Sequence, residues 1–183
     1  MSIWGHAAAT LKRIRRLRDR WVLANRDSQC NAGCSFCCHQ QVGALIVEGV
    51  EIAFRHPRLA PVETPPAAAC ALLANGRCSI YAERPISCAT LFPAGPCREG
   101  RAKNLPNAAP VHTARSLDVA FCRRIRMPWP GPLRLPKAIE VGRALLERGP
   151  EAAQRIVEWS DLLMREEDIL RLAGSPRSAG RSA

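Results

Sequence analysis

Aromatic side chains make up only 5% of this chain of 183 residues, so a core has to be built from leucine, isoleucine, valine and alanine. Long apolar runs are missing as well. The most continuous one, 42–47, falls far short of the ~18 residues that a membrane span requires. Residues 1–14 lack the apolar centre of a secretory leader. The expectation is a cytoplasmic protein without a transmembrane segment. Lysine is nearly absent, with three residues against 24 arginines. That bias either serves forked contacts to phosphate and carboxylate or follows from a GC-rich genome. There is no glycine-rich phosphate loop, zinc-finger spacing or aromatic RNA-binding motif. Nor is there a Gly-x-Ser-x-Gly elbow or a carboxylate pair placed by sequence for acid–base work. Whether the chain is an enzyme stays open, because an iron–sulfur cluster can itself be the reactive group.

Cysteine, proline and positive charge are what the chain has in excess. Nine cysteines are an odd number, which argues against a closed disulfide framework. The net charge of +11 is unevenly spread: +5 over 1–29, zero over 30–97, +7 over 98–137 and −1 from 138 onward. A neutral cysteine-rich stretch is thus flanked by basic segments, which attract anions in general, nucleic acid among them, without specifying which.

Hydrophobic spacing divides the chain further. Trp4, Ala7, Leu11, Ile14, Leu17 and Trp21 recur at three-and-four spacing, predicting an amphipathic helix over 4–24 with arginines around its other side. It either packs on the domain or docks on an acidic partner, nucleic acid or a membrane surface. A short helix runs through Glu48, Glu51, Ile52 and Phe54 until Pro57. A small hairpin is expected around the turn pair Asn75-Gly76. Proline-rich 57–66 and 93–110 read as loop and exposed coil. A helix follows over 113–126, then two more over 137–148 and 151–172 separated by Gly149-Pro150. The expected organisation is a basic helix (1–29), a cysteine-cluster metal-binding domain (30–126), a proline-rich linker (127–136), a C-terminal helical hairpin (137–174) and a disordered tail (175–183). The fold class is mainly α with irregular loops and a small hairpin.

Cys30-Asn-Ala-Gly-Cys34-Ser-Phe-Cys37-Cys38 places four thiols within nine residues. A soft or borderline cation needs sulfurs converging at ~2.3 Å, and short spacings bring them from one tight turn. Adjacent side chains diverge, so Cys37 and Cys38 suggest two metals, a polynuclear cluster, or one ligand beside a buried thiol. Cys70 and Cys78 bracket the Asn-Gly turn, and Cys88 follows in Arg84-Pro85-Ile86-Ser87-Cys88. Arg84 is a candidate to offset thiolate charge from outside the ligand set. His39, next to Cys38, is the only histidine considered as a ligand; Glu48 and Glu51 read as a solvated helix face.

Both halves of this pattern, with Glu48-Gly-Val-Glu51-Ile-Ala between them, resemble the YkgJ-type cysteine-cluster family, a CxxCxxCC domain described as zinc- or iron-chelating. The resemblance covers about residues 30–126. Carried over position by position, it implies Cys30, Cys34, Cys37, Cys38, Cys70, Cys78, Cys88 and Cys122 as metal ligands. Cys97 falls outside that pattern. The first spacing is three residues rather than two, a variant that keeps the same ligands. The uneven spacings favour an iron–sulfur cluster, 4Fe–4S above all, over zinc. The leading reading is a metal-binding module that the metal orders and that docks on a protein partner or larger assembly through the basic helix and the C-terminal hairpin. The alternatives are a redox or modification enzyme using an Fe–S cluster, and a metal-stapled subunit of a larger assembly such as a phage particle.

Overall fold

The computed structural model describes residues 2–24, 38, 42–59, 70, 72–90, 92–93, 102–103 and 109–157. Among them the fold is mainly α, as expected, with three two-stranded antiparallel ladders. Helix α1 spans Ile3–Ala24. A short strand β1, Gly43–Ala44, leads into α2, Ile46–Arg55. The hairpin β2 (Leu73–Ala74) and β3 (Arg77–Cys78) precedes the single-turn helix α3, Ile86–Ala89. Strands β4 (Phe92–Pro93) and β5 (Ala102–Lys103) are followed by α4, Ala109–Arg124. Strand β6, Leu133–Arg134, then opens directly into α5, Leu135–Arg148, and the short α6, Pro150–Gln154. No helix among the described residues is long and apolar enough to cross a membrane.

The predicted stripe of α1 faces inward. Ala7, Leu11 and Ile14 are buried, Trp4 and Leu17 pack partly against the same core, and the helix lies against α2 and α4. Glu51 of α2 pairs with Arg15 of α1 and, at 2.9 Å, with Arg55. The basic helix is therefore a structural member of the domain on one side and solvent-facing on the other, where Lys12, Arg13, Arg16 and Arg20 are exposed.

Helices α2 and α5 form the densest contact of the fold, and two glycines make it possible. A Cβ built on Gly142 would lie 2.3 Å from the Gly49 carbonyl carbon, and one built on Gly49 would lie 1.9 Å from the Ala138 carbonyl oxygen. The two backbones thus touch where side chains would normally keep helices 8–10 Å apart. Around this crossing Val47, Val50, Ile139, Val141 and Leu145 are fully buried.

Residues 127–136, expected as a linker, are packed. Met127, Leu133 and Leu135 are buried, and β6 pairs with β1 in the register Gly43↔Arg134, Ala44↔Leu133. Helix α4 turns into this segment through Arg126, at φ 59. The Met127 N–H donates to the Cys122 carbonyl at 2.9 Å and that of Arg126 to Arg123 at 3.1 Å. This is the Schellman pattern, with arginine where glycine is usual. Two other expectations change at their edges. Within the stretch read as exposed coil, Phe92–Pro93 pairs with Ala102–Lys103. The helix expected over 151–172 ends at Gln154, a turn follows at 155–156, and residues 158–183 lie outside the described residues.

Candidate metal centre

The hairpin forms as its turn residues demand. Asn75 and Gly76 both adopt positive φ, 51° and 72°, which suits a two-residue turn between twisted strands. Leu73 then pairs with Cys78. On the far side of the loop, Ser79 donates to the Leu72 carbonyl through both its backbone N–H and its hydroxyl, each at 2.9 Å. Below the hairpin, the Leu73 N–H reaches the Cys70 carbonyl at 2.9 Å, and the Cys70 N–H donates to the Cys38 carbonyl at 2.5 Å. Backbone hydrogen bonding thus ties together three cysteines that are up to 40 positions apart.

Cys38 is buried and Cys78 half-buried. A hydrogen bond from Cys38 pulls the Cys78 thiol down to about 6, aided by the Ile80 N–H and the positive charge of Arg84, against the opposing effects of burial and Glu83. The guanidinium carbon of Arg84 sits 4.0 Å from the centre of the Tyr81 ring. It supplies the charge offset expected of it without touching the sulfurs as a ligand would. Cys78 is therefore a thiolate near neutral pH, with a second sulfur beside it.

At the starts of α2 and α3 lie buried carboxyl groups that the sequence did not suggest. Glu48 and Glu51, expected on a solvated face, are each only 4% exposed. The correction has a physical reason, since each carboxylate has donors to satisfy inside the fold. Glu48 Oε2 accepts the Leu45 N–H at 2.9 Å and Oε1 accepts the Ile86 N–H at 2.7 Å, so one side chain caps the start of α2 and orients α3. Asp118 of α4, fully buried, accepts from Ile46 N–H (3.1 Å), Val47 N–H (2.9 Å) and Trp129 Nε1 (2.8 Å). The two backbone donors among these are N–H groups that a helix start leaves without partners. Burial pushes Glu48 up to about 7 and Asp118 up to about 6 against the pull of those donors. A glutamate three residues after the position before a helix is a legible capping signal. For Asp118 no local signal exists, because its partners at the α2 start lie 71 and 72 residues away.

Of the expected ligands, Cys38 and Cys78 are joined by a side-chain hydrogen bond, and Cys70 is tied to Cys38 through its backbone. Cys88 is half-buried on α3, the helix whose first N–H group Glu48 holds. Cys122 lies fully buried in the hydrophobic core. Burial, then the neighbouring Asp118 charge, pushes its thiol far above the usual range, which keeps it protonated. Cys30, Cys34, Cys37, Cys97 and His39 lie outside the described residues. Among the described residues no group of three or more Cys, His, Asp or Glu side chains is disposed to hold an ion. The donor chemistry still fits zinc or iron: a thiolate and a thiol in contact, both soft, with an arginine nearby.

Residues 29–108 match a family model of CxxCxxCC type, whose description reads "Putative zinc- or iron-chelating domain". No curated protein and no solved structure matches the chain.

Proposed function

From the premise that residues 29–108 form a CxxCxxCC domain of zinc- or iron-chelating description, we propose a metal-ordered module. In this reading, metal–thiolate bonds fasten the hairpin to the cysteine segment before β1, and the folded unit docks on a partner. The observation that carries it is the Cys38–Cys78 hydrogen bond, which favours the thiolate form of Cys78. The four ligands that such a centre needs would come from Cys30, Cys34, Cys37 and Cys38 and from Cys70, Cys78 and Cys88 of the hairpin half. Cys122, surrounded by core side chains, is left to packing. The preferred occupant is a 4Fe–4S cluster, because the spacings of the first four cysteines are uneven. Zinc is the alternative. When bound, the metal supplies cross-links that a proline- and glycine-rich segment with few aromatic side chains cannot supply itself.

Docking falls to the outer side of α1, since its inner side is committed to the core. Metal analysis and a visible absorption spectrum of protein purified without oxygen distinguish iron–sulfur from zinc. Hydrogen exchange on metal-stripped protein tests the ordering role. The amides of 72–80 should lose protection while those of α5, held by the glycine crossing, keep theirs. A hairpin equally protected with and without metal would overturn the proposal.

A further inference from the structure

Helices α1 and α2 enclose a groove of about 400 Å³, lined by Lys12, Arg15, Arg16 and Arg55 together with Trp4 and Leu11. Its only carboxylate lining is Asp19, which pairs with Arg18 at 3.1 Å. Glu51 answers Arg15 and Arg55. That leaves Lys12 and Arg16 with no acidic partner among the described residues. Burial, and then the nearby charges of Arg55 and Arg18, hold the Arg15 guanidinium below its ordinary value against the opposing pull of Glu83 and Asp19. Lys12, Arg16 and Arg20 follow at intervals of four, so they form a stripe with one cation per turn, ~6 Å apart.

Beside this groove two aromatic rings meet from distant parts of the chain. Trp4 stacks on Phe54 with ring centroids 3.8 Å apart and planes inclined by 11°. Phe54 nevertheless remains 49% exposed, one of two large hydrophobic side chains so placed among the described residues. A cationic groove with an open aromatic surface at its side is the combination that single-stranded nucleic acid uses: phosphates take the cations and a base covers the ring. An acidic peptide would meet the charges and leave the aromatic pair unused. A duplex keeps the faces of its bases stacked inside and has none to offer Phe54.

We propose that the α1–α2 groove binds single-stranded nucleic acid, with phosphates on Lys12, Arg16 and the outer edges of Arg15 and Arg55, and a base on Phe54. The proposal rests on the docking reading above and names the partner class. It makes no use of the metal. Metal content is therefore measured for every variant, so that a failure of the centre and a failure of the groove can be told apart.

The test uses the full metal-loaded chain and a fluorescent oligothymidylate of about 15 nucleotides, with anisotropy read at several salt concentrations. The double variant Lys12→Gln/Arg16→Gln spares the partners of Glu51. It should bind about tenfold more weakly, and the slope of log affinity against log salt should fall by about 1.4, or ~0.7 for each phosphate that is no longer neutralised. Arg123→Gln/Arg124→Gln removes the same charge from the exposed end of α4 and should cost less than about threefold, because neither side chain lines the groove. Phe54→Leu should weaken the oligonucleotide about tenfold, as removal of a stacking ring does, and leave binding of heparin unchanged. The proposal is overturned if the two double variants behave alike, if Phe54→Leu binds the oligonucleotide as well as the parent does, or if polyglutamate competes as well as unlabelled oligonucleotide. Failure of the metal-loaded parent to bind the oligonucleotide at low salt overturns it as well.

Discussion

Replacing Gly142 with alanine isolates the helix crossing on which the carboxylate network stands. Two effects oppose each other. Alanine is the better helix former by about 1 kcal/mol in a helix interior, so an unobstructed site would gain stability. At this site the new methyl would sit 2.3 Å from the Gly49 carbonyl carbon, 2.4 Å from its oxygen and 2.5 Å from the Val50 nitrogen. All three are backbone atoms of α2, so no side chain can rotate away. Ordinary carbon contacts are ~3.5–4.0 Å, and the helices would have to part by about 1 Å or more. Overpacking of this kind costs ~1–3 kcal/mol and more when backbone must move. The upper part of that range applies here, leaving a net destabilisation of about 2 kcal/mol. For a chain of this size that lowers the thermal midpoint by about 4–8 °C.

The displacement also shifts α2 and with it Glu48, whose 2.7 Å hydrogen bond sets the start of α3. Metal affinity should therefore weaken along with stability. Circular dichroism melts of metal-loaded parent and Gly142→Ala read the first effect, and a chelator competition reads the second. A midpoint equal to or above that of the parent would mean that helix propensity outweighs the close approach, and the glycine crossing would lose its assigned role.

The buried carboxyls make stability depend on pH in a definite direction. Their values in the folded chain, about 7 for Glu48 and about 6 for Asp118, stand above the ordinary 4.5 and 3.8, so the unfolded chain gives up its protons first. Their contribution is fully present below about pH 4 and is lost as pH rises towards 7. Glu48→Gln should thus lose less stability than the parent between pH 5 and pH 7.5 by about 2 kcal/mol in urea titrations; parallel profiles would refute the assignment. In a cysteine panel assayed for metal per chain, Cys78→Ser and Cys38→Ser should lose metal while Cys97→Ser and Cys122→Ala keep it. Loss at Cys122 as severe as at Cys78 would return that thiol to the ligand set. Arg126→Gly should raise stability by up to about 1 kcal/mol, because a left-handed φ strains every residue with a Cβ; a lower urea midpoint would show that the arginine side chain matters more than its backbone.

Local chemistry alone accounts for much of this protein. The stripe from Trp4 to Trp21 specified α1, because helical period is a property of neighbouring residues. Asn75-Gly76 specified the hairpin, since only residues tolerant of positive φ accept that turn. The cysteine spacings pointed to metal chemistry, and the family model that matches residues 29–108 is described in the same terms. What the sequence could not reveal depends on partners far along the chain. Glu48 and Glu51 look like solvated helix residues until α3 and Arg15 are brought against them. Asp118 carries no mark of the α2 start that it caps. Nothing local marks Gly49 and Gly142 as the place where two helices cross. Trp4 and Phe54 become a stacked pair only when α1 lies on α2. The reason is common to all four: a helix or a turn is decided within a few residues, whereas the burial of a charge, the approach of two backbones and the stacking of two rings depend on which surfaces the folded chain sets face to face.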